Sequence, residues 1–200
     1  YLLSDKYSHS PYIPDLSIRV CYISVGGKIP NIKNRNEHSR IIKVLNKSIS
    51  LSVRDNKTKS KLYEHNIKSK LVPDSALLMS RVYKKEFLRS KYGNTGEFSD
   101  NKFIFLQVGR TKGPQEINLF IEQMNKIADE NNLKVICCPI GIAAGHEDDI
   151  YLKKLVKMEP AWSYIEPIDV LHIMYLISHS FIYIGTSLHG AITAFAYNKP

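Results

Sequence analysis

Hydrophobic positions along the chain fall into short β-branched runs that alternate with longer stretches of helical spacing. The short runs predict strands at 17–25, 49–53, 71–72, 103–108, 133–138 and 181–184. The longer stretches predict helices at 41–45, 57–65, 114–131, 148–158, 169–179 and 190–197. Because strands that alternate with helices form parallel sheets flanked by helices, the pattern predicts an α/β fold with two Rossmann-like halves.

A polar, glycine-bearing stretch at 91–101 follows neither period and is our candidate linker. It leaves residues 1–90 as the C-terminal part of a first half and residues 102–200 as a second half. The sequence starts without an initiator methionine, and it stops just after a helical pattern. We therefore expect a fragment that lacks both ends.

The charge of +9 narrows the classes of partner. Lysines and arginines are scattered rather than run together, which argues against a nucleic-acid-binding tail. They form either an ordinary basic surface or one that attracts anionic substrates and lipid headgroups. No apolar run approaches the roughly 20 residues of a membrane span. With three cysteines in no metal-ligand spacing, we expect reduced thiols, no metal and a cytoplasmic protein, with peripheral association at the inner face of the membrane as an option.

The richest candidate site is the stretch at 185–190, between a hydrophobic run and an alanine-rich helix. Its glycines, Gly190 among them, permit a sharp turn, and the helix start suits a phosphate or carboxylate. His189 is the strongly titratable side chain of this turn, with Thr186 and Ser187 beside it. The alternative is that Thr186 or Ser187 caps the helix while His189 only fills space.

Charged residues also follow two predicted strands of the first half. Arg54 can bind a carboxylate or phosphate through two parallel hydrogen bonds. It can equally be a surface arginine, with Asp55 capping the next helix. Asp74, after the strand at 71–72, is a helix cap or a site residue on equal terms.

In the second half, Arg110 and Lys112 lie near glycines after the strand at 103–108 and suit an anion, although cations beside surface turns are common. His146, in the loop before the helix at 148–158, is a weaker candidate. On the helix at 169–179, we expect His172 in the core or at an interface and a favourable cation at His179, near the helix C-terminus.

Four segments, in order, resemble the polysaccharide pyruvyl transferase family. They are S-V-R-D at 52–55, V-P-D at 72–74, P-I-G-I-A-A-G-H-E-D-D at 139–149 and F-I-Y-I-G-T-S-L-H-G-A-I-T-A-F-A-Y-N-K-P at 181–200. The resemblance extends over about residues 17–200, and its last segment is the most specific. It implies a GT-B-like protein whose active site lies in the cleft between two Rossmann-like halves. Many members have arginine where this chain has Ser187, while others share the T-S-L-H-G form.

The resemblance implies formation of a pyruvate ketal on a glycan sugar from phosphoenolpyruvate, in exopolysaccharide or cell-surface glycan biosynthesis. It implies His189 as general acid, Arg54 and Arg110 as ligands of the donor carboxylate and phosphate, and Lys112 in reserve. Phosphoenolpyruvate is the co-substrate, and no cofactor or metal is expected. The acceptor is a glycan or a lipid-linked oligosaccharide.

Two other functions fit the same architecture. One is a GT-B nucleotide-sugar glycosyltransferase, suggested by the glycine-flanked cations at 108–113. The other is a non-catalytic glycan-binding module, which the Ser187 departure supports. A His189 exposed in a cleft next to arginine side chains would argue against the module, and a buried one would favour it.

Overall fold

A computed structural model of the chain describes residues 20–26, 35–93, 102–143 and 146–200, with backbone alone for 35–38 and 40. The described chain forms two compact units, Tyr1–Ser75 and Ala76–Pro200. The start of the strand predicted at 17–25 lies outside the described residues.

The first unit contains a parallel three-stranded sheet in the order β1-β2-β3. Its elements are β1 (Cys21–Val25), α1 (Arg35–Asn46), β2 (Ser50–Val53), α2 (Asn56–Glu64) and β3 (Lys70–Leu71). Among the described residues, Val53, Leu62 and Ile67 form a buried hydrophobic cluster, and Tyr22, Ile41 and Val44 are also buried. The alternation of strand and helix read from the sequence is therefore present here.

Asp55 caps α2, as the more conservative interpretation of the sequence held. Its carboxylate accepts hydrogen bonds from the Thr58 backbone N–H at 2.7 Å and from the Thr58 hydroxyl at 2.8 Å. The Thr58 backbone N–H is the main reason that the pKa of Asp55 lies below its ordinary value. This residue is committed to ending β2 and starting the helix.

The second unit contains a parallel four-stranded sheet in the order β6-β5-β4-β7. After a 3₁₀ helix at Ser75–Leu78, its elements are α3 (Met79–Val82), α4 (Lys85–Tyr92), β4 (Phe103–Gln107), α5 (Ile117–Glu130), β5 (Lys134–Cys137), α6 (Asp148–Met158), β6 (Ser163–Tyr164), α7 (Val170–His179), β7 (Ile182–Gly185) and α8 (Leu188–Ala196). These parallel strands and flanking helices confirm the predicted α/β class.

The central strand β4 is buried along its whole length, which explains its unbroken hydrophobic run. Successive side chains along the strands pack alternately in two hydrophobic cores. Phe105 and Cys138 lie in one core, and Leu106 and Cys137 lie in the other. The adjacent cysteines thus point to opposite faces, as the strand pattern predicts. Burial raises the pKa of the Cys137 thiol to about 12 and raises that of Cys138 as well.

The division between the units precedes the predicted linker at 91–101. Helix α4, for which the hydrophobic pattern predicted no element, packs in the second unit through the buried residues Leu88 and Tyr92. The Tyr92 hydroxyl donates to Asp169, the N-cap of α7. Residues 91–93 therefore belong to a packed helical segment, because Tyr92 is anchored in the core, and residues 94–101 lie outside the described residues.

The two histidines of α7 behave differently from each other. His172 is buried and stacks on Tyr92, as expected for a core residue. The expectation of a favourable cation at His179 was wrong. This side chain is also buried, and desolvation lowers its pKa below the ordinary value, with Arg89, Lys85 and Lys199 acting in the same direction.

Candidate active site

Side-chain hydrogen bonds hold the turn between β7 and α8 in place. Ser187 is the N-cap of α8, and its hydroxyl accepts from the Gly190 backbone N–H at 3.3 Å. The side-chain oxygen of Gln107 accepts from the backbone N–H groups of Thr186, at 3.0 Å, and Ser187, at 2.9 Å. The backbone N–H groups of Thr186, Ser187 and Gly190 are therefore already bonded within the protein.

The two glycines of the turn make room for a side chain. A Cβ added to either Gly185 or Gly190 would collide with the phenol oxygen of Tyr183. That oxygen lies 3.3 Å from the Ser187 carbonyl oxygen, beneath the turn. The space beside both glycines is thus filled by a buried tyrosine of the same strand.

His189 lies in the first turn of α8 and is exposed, as is its neighbour Leu188. Its carbonyl oxygen accepts from the Thr193 hydroxyl at 2.8 Å, one turn further along the helix. A residue that only fills space would be covered by neighbouring side chains, and this one reaches solvent. The buried His189 that would favour a non-catalytic module is therefore not observed.

Beneath the turn lies a buried pair that sequence reasoning missed. Gln107, 2% exposed, donates through Nε2 to Asp148 Oδ2 at 2.7 Å, and Asp148 is 1% exposed. The same Oδ2 accepts from the backbone N–H groups of Ile140 at 3.0 Å and Gly141 at 2.8 Å. A polar residue closing the buried β4 run was the signal for Gln107, whereas Asp148 resembles an ordinary acidic helix start.

The loop carrying Arg110 lies next to this turn. The Gly109 backbone N–H donates to the Thr186 hydroxyl at 3.0 Å, and the Arg110 backbone N–H donates to the His146 carbonyl at 3.1 Å. The Arg110 guanidinium pairs with Glu147 at 2.8 Å, and both side chains are partly exposed. The Thr186 hydroxyl and the His146 carbonyl therefore accept from consecutive backbone N–H groups of the Arg110 loop, which brings three predicted site residues together.

The two remaining candidate side chains of the second unit are those of Lys112 and His146. Lys112 is exposed, and within the described chain no carboxylate forms an ion pair with it. His146 is exposed and its ring packs on Gly141, where an added Cβ would lie 3.0 Å from the His146 Cβ. His146 is thus joined to the Arg110 loop through its backbone carbonyl, whereas its imidazole lies against Gly141.

In the first unit, Arg54 and Asp74 form an ion pair at 2.5 Å, with 28% and 12% of their side chains exposed. Arg54 occupies the space that a side chain on Gly26 would need. Next to it, the Ser24 hydroxyl donates to the Pro73 carbonyl at 2.7 Å and ties the ends of β1 and β3 together. Asp74 is thus an ion-pair partner of Arg54.

Neither a metal cluster nor a membrane helix is found in the described part of the chain. No three His, Cys, Asp or Glu side chains of residues 20–26, 35–93, 102–143 and 146–200 converge on a metal-sized site. Over the same residues, every helix is too short or too polar to cross a bilayer.

Solved structures confirm the α/β, GT-B-like fold. UDP-GlcNAc 2-epimerase from Methanocaldococcus jannaschii matches with a TM-score of 0.62 and 16% identity over 92% of this chain and 54% of that one. The same enzyme in complex with UDP-GlcNAc and UDP matches with a TM-score of 0.56 at 16% identity, over 92% and 53% of the two chains. The Neisseria meningitidis enzyme bound to UDP-GlcNAc matches with a TM-score of 0.56 at 17% identity, over 86% and 48%. The chain thus spans about half the length of these structures.

Sequence comparison places the chain more narrowly than the fold does. No curated protein matches it. The family model for polysaccharide pyruvyl transferase matches residues 4–200, which is nearly the whole chain and includes every candidate site residue described above. The chain belongs to the polysaccharide pyruvyl transferase family.

Proposed function

We propose that this protein transfers the pyruvyl group of phosphoenolpyruvate to two hydroxyls of a glycan sugar and releases phosphate. The observation that carries the proposal is an exposed imidazole, His189, on a turn that buried hydrogen bonds hold in place, in a chain of this family. Such a group can reach a substrate, and its backbone is fixed by the protein rather than by the ligand.

The proposed reaction begins with proton transfer from the His189 imidazolium to the methylene carbon of phosphoenolpyruvate. The central carbon becomes cationic, and a sugar hydroxyl attacks it. Its C–O bond to phosphate then breaks, and a second hydroxyl of the sugar closes the ketal ring. Of the two hydroxyl protons released, one replaces the proton given to the methylene carbon and the other leaves on phosphate. A positioned general acid of this kind typically contributes ~10²–10⁴-fold to the rate.

The donor is an anion at both ends, and cations are proposed to bind it. Lys112 is exposed beside the turn, and Arg110 lies in the same loop with its guanidinium held by Glu147. Arg54, held by Asp74 in the first unit, is the further candidate. Carboxylate partners keep both guanidinium groups in defined orientations before a ligand arrives, which lowers the entropy lost on binding.

Release of inorganic phosphate is the test of this proposal. We expect release from phosphoenolpyruvate only when a glycan acceptor is also present, because the acceptor hydroxyl is the nucleophile. Phosphate release at the same rate without acceptor would instead indicate a phosphatase. No release with any glycan from the producing cell would count against the transferase.

A nucleotide-sugar enzyme is the second candidate, since the matched epimerase structures hold UDP-GlcNAc on a similar fold. Thermal unfolding in the presence of each donor separates the two functions. We expect phosphoenolpyruvate to raise the melting temperature and UDP-sugars to leave it unchanged. The opposite pattern would favour the nucleotide-sugar enzyme.

We also propose a cytoplasmic protein that associates peripherally with anionic membrane lipids, where a lipid-linked acceptor would be found. The charge of +9 supports this, as does the segment 81–91, where exposed Val82 and Phe87 lie among basic residues. Co-sedimentation with vesicles of phosphatidylglycerol, compared with phosphatidylcholine, tests the association. Equal binding to both, or to neither, would contradict it.

A further inference from the structure

We propose that Gln107 and Asp148 are positioning residues that hold the His189 turn in its working geometry. They touch neither the imidazole nor, in our account, the substrate. Their influence runs through the backbone of Thr186 and Ser187, the residues that precede α8. For its effect on turnover the inference rests on the function proposed above, whereas its structural consequences can be measured without any substrate.

The chemistry of the neighbours fixes how the Gln107 amide is turned. A carboxylate only accepts hydrogen bonds, so the amide nitrogen must face Asp148, and it does so at 2.7 Å. Backbone N–H groups only donate, so the amide oxygen must face Thr186 and Ser187. A flipped amide would break all three bonds at once.

Asp148 is in turn fixed by groups outside the turn. Its Oδ2 accepts from Ile140 and Gly141, in the loop after β5, and its own backbone N–H donates to the Gly141 carbonyl at 3.0 Å. It is also the first residue of α6, where a negative charge is favoured by the helix dipole. The network therefore ties the ends of β4 and β5 and the start of α6 to the turn after β7.

Because this pair is buried, the loss of one of its hydrogen bonds is costly. Gln107 and Asp148 are 2% and 1% exposed, so water cannot easily replace a lost partner. Removing the Gln107 side chain leaves the Ser187 N–H without this acceptor, and it leaves the Thr186 N–H with only the Gln107 backbone carbonyl, at 3.2 Å. The turn is then expected to fluctuate, and a general acid displaced by about 1 Å can lose about a hundredfold in rate.

Gln107→Ala in the intact protein is the first variant, with Gln123→Ala, an exposed position on α5, as the matched control. Val135→Ala, in the buried part of β5 away from the turn, serves as a control for general destabilisation. We expect hydrogen exchange at Thr186 and Ser187 to become about tenfold faster in Gln107→Ala alone. We also expect the His189 ring resonance, in histidine-labelled protein, to shift or broaden.

In turnover, Gln107→Ala should lower kcat by about a hundredfold while KM for phosphoenolpyruvate changes little, because the loss lies in positioning the acid. Exchange and His189 resonances that match the Val135→Ala control would overturn the inference, whatever the activity. If the native protein releases no phosphate, the proposed function fails, and the exchange and resonance data still decide the positioning role.

Asp148 supplies a second, conservative pair of variants. In Asp148→Asn the amide oxygen can take the place of Oδ2 and keep its three bonds, and the atom changed to nitrogen replaces Oδ1, which has no hydrogen bond among the described residues. We expect Asp148→Asn to retain the slow exchange of Thr186 and Ser187 and Asp148→Ala to lose it. Equal loss in both variants would contradict an orienting role for this carboxyl group.

Discussion

The ends of the strands differ between the two units. In the first unit, the polar side chains that follow the strands form an ion pair between Arg54 and Asp74. This ion pair is partly exposed and can exchange partners. In the second unit, the corresponding group is the uncharged amide of Gln107, which is buried, held by Asp148 and bound to the turn that exposes His189. Burial accounts for the difference, since a charge near water remains available to a ligand whereas a buried amide can only fix the backbone around it.

This comparison assigns different tasks to the two strand ends. The first unit presents a cation suited to an anionic ligand, and the second presents a titratable group on a rigid base. The same contrast is seen in the cores. Among the described residues, the first unit has one cluster of buried hydrophobic residues, formed by Val53, Leu62 and Ile67, whereas the second has two such clusters, one on each side of a fully buried β4.

The largest effect is expected from His189→Ala. We expect acceptor-dependent phosphate release to fall by ~10²–10⁴-fold, since the general acid is lost. The melting temperature should stay near that of the parent protein because the side chain is exposed. Thr193→Ala, further along the same helix, is the control. Turnover near the parental rate in His189→Ala would remove this residue from the mechanism.

Arg54→Ala is expected to have the next largest effect. The loss of a cation at the donor should weaken phosphoenolpyruvate binding by roughly 3 kcal/mol and acceptor binding by much less. Calorimetric titration with each ligand measures the two effects. Equal loss for both would make Arg54 a structural residue.

Asp74→Asn tests the same ion pair from the other side. If Asp74 only orients Arg54, the conservative change should weaken donor binding less than Arg54→Ala does. A loss as large as that of Arg54→Ala would indicate a direct role for Asp74.

Arg110→Ala should have a smaller effect. Its ion pair with Glu147 is partly exposed, so its removal should cost about 1 kcal/mol or less of folding stability. We expect KM for phosphoenolpyruvate to rise about tenfold and Glu147→Gln, which leaves the guanidinium in place, to change it little. An unchanged KM in Arg110→Ala and a raised KM in Lys112→Ala would assign the donor contact to Lys112.

The smallest effect concerns pH and the second unit alone. Burial lowers the pKa of His179 below 6.5, so protonation favours the unfolded state and stability should fall as pH drops below about 6.5. His179→Gln should flatten this dependence in urea unfolding curves. His65→Gln, in the first unit, should leave it in place. If the dependence of stability on pH is unchanged in His179→Gln, His179 is not its cause.

Most of the fold could be predicted from the spacing of hydrophobic residues, because this spacing reflects which positions are buried. Helix α6 begins and ends where its pattern predicts, and β2, β4 and β5 lie within their predicted runs. Two missed elements have different causes. The two-residue strand β6 is too short for any period, and α4 carries so many charges that its two buried anchors, Leu88 and Tyr92, did not stand out.

Only part of the candidate site could be predicted from the sequence. The turn at 185–190 and its exposed histidine were found because glycine and histidine follow a hydrophobic run. Gln107 and Asp148 were not, since their roles depend on partners distant in the chain. The pairing of Arg54 with Asp74 and of Arg110 with Glu147 was likewise beyond sequence spacing, because each ion pair joins separate loops.

The central claim is that a pyruvyl group passes from phosphoenolpyruvate to a sugar of a surface glycan. NMR of the glycan after incubation with ¹³C-labelled phosphoenolpyruvate and the protein tests it most directly. We predict a labelled quaternary ketal carbon with its methyl group on one sugar, present with the parent protein and absent with His189→Ala. Label that appears only as free pyruvate, or a glycan that stays unlabelled while phosphate is released, would contradict the account.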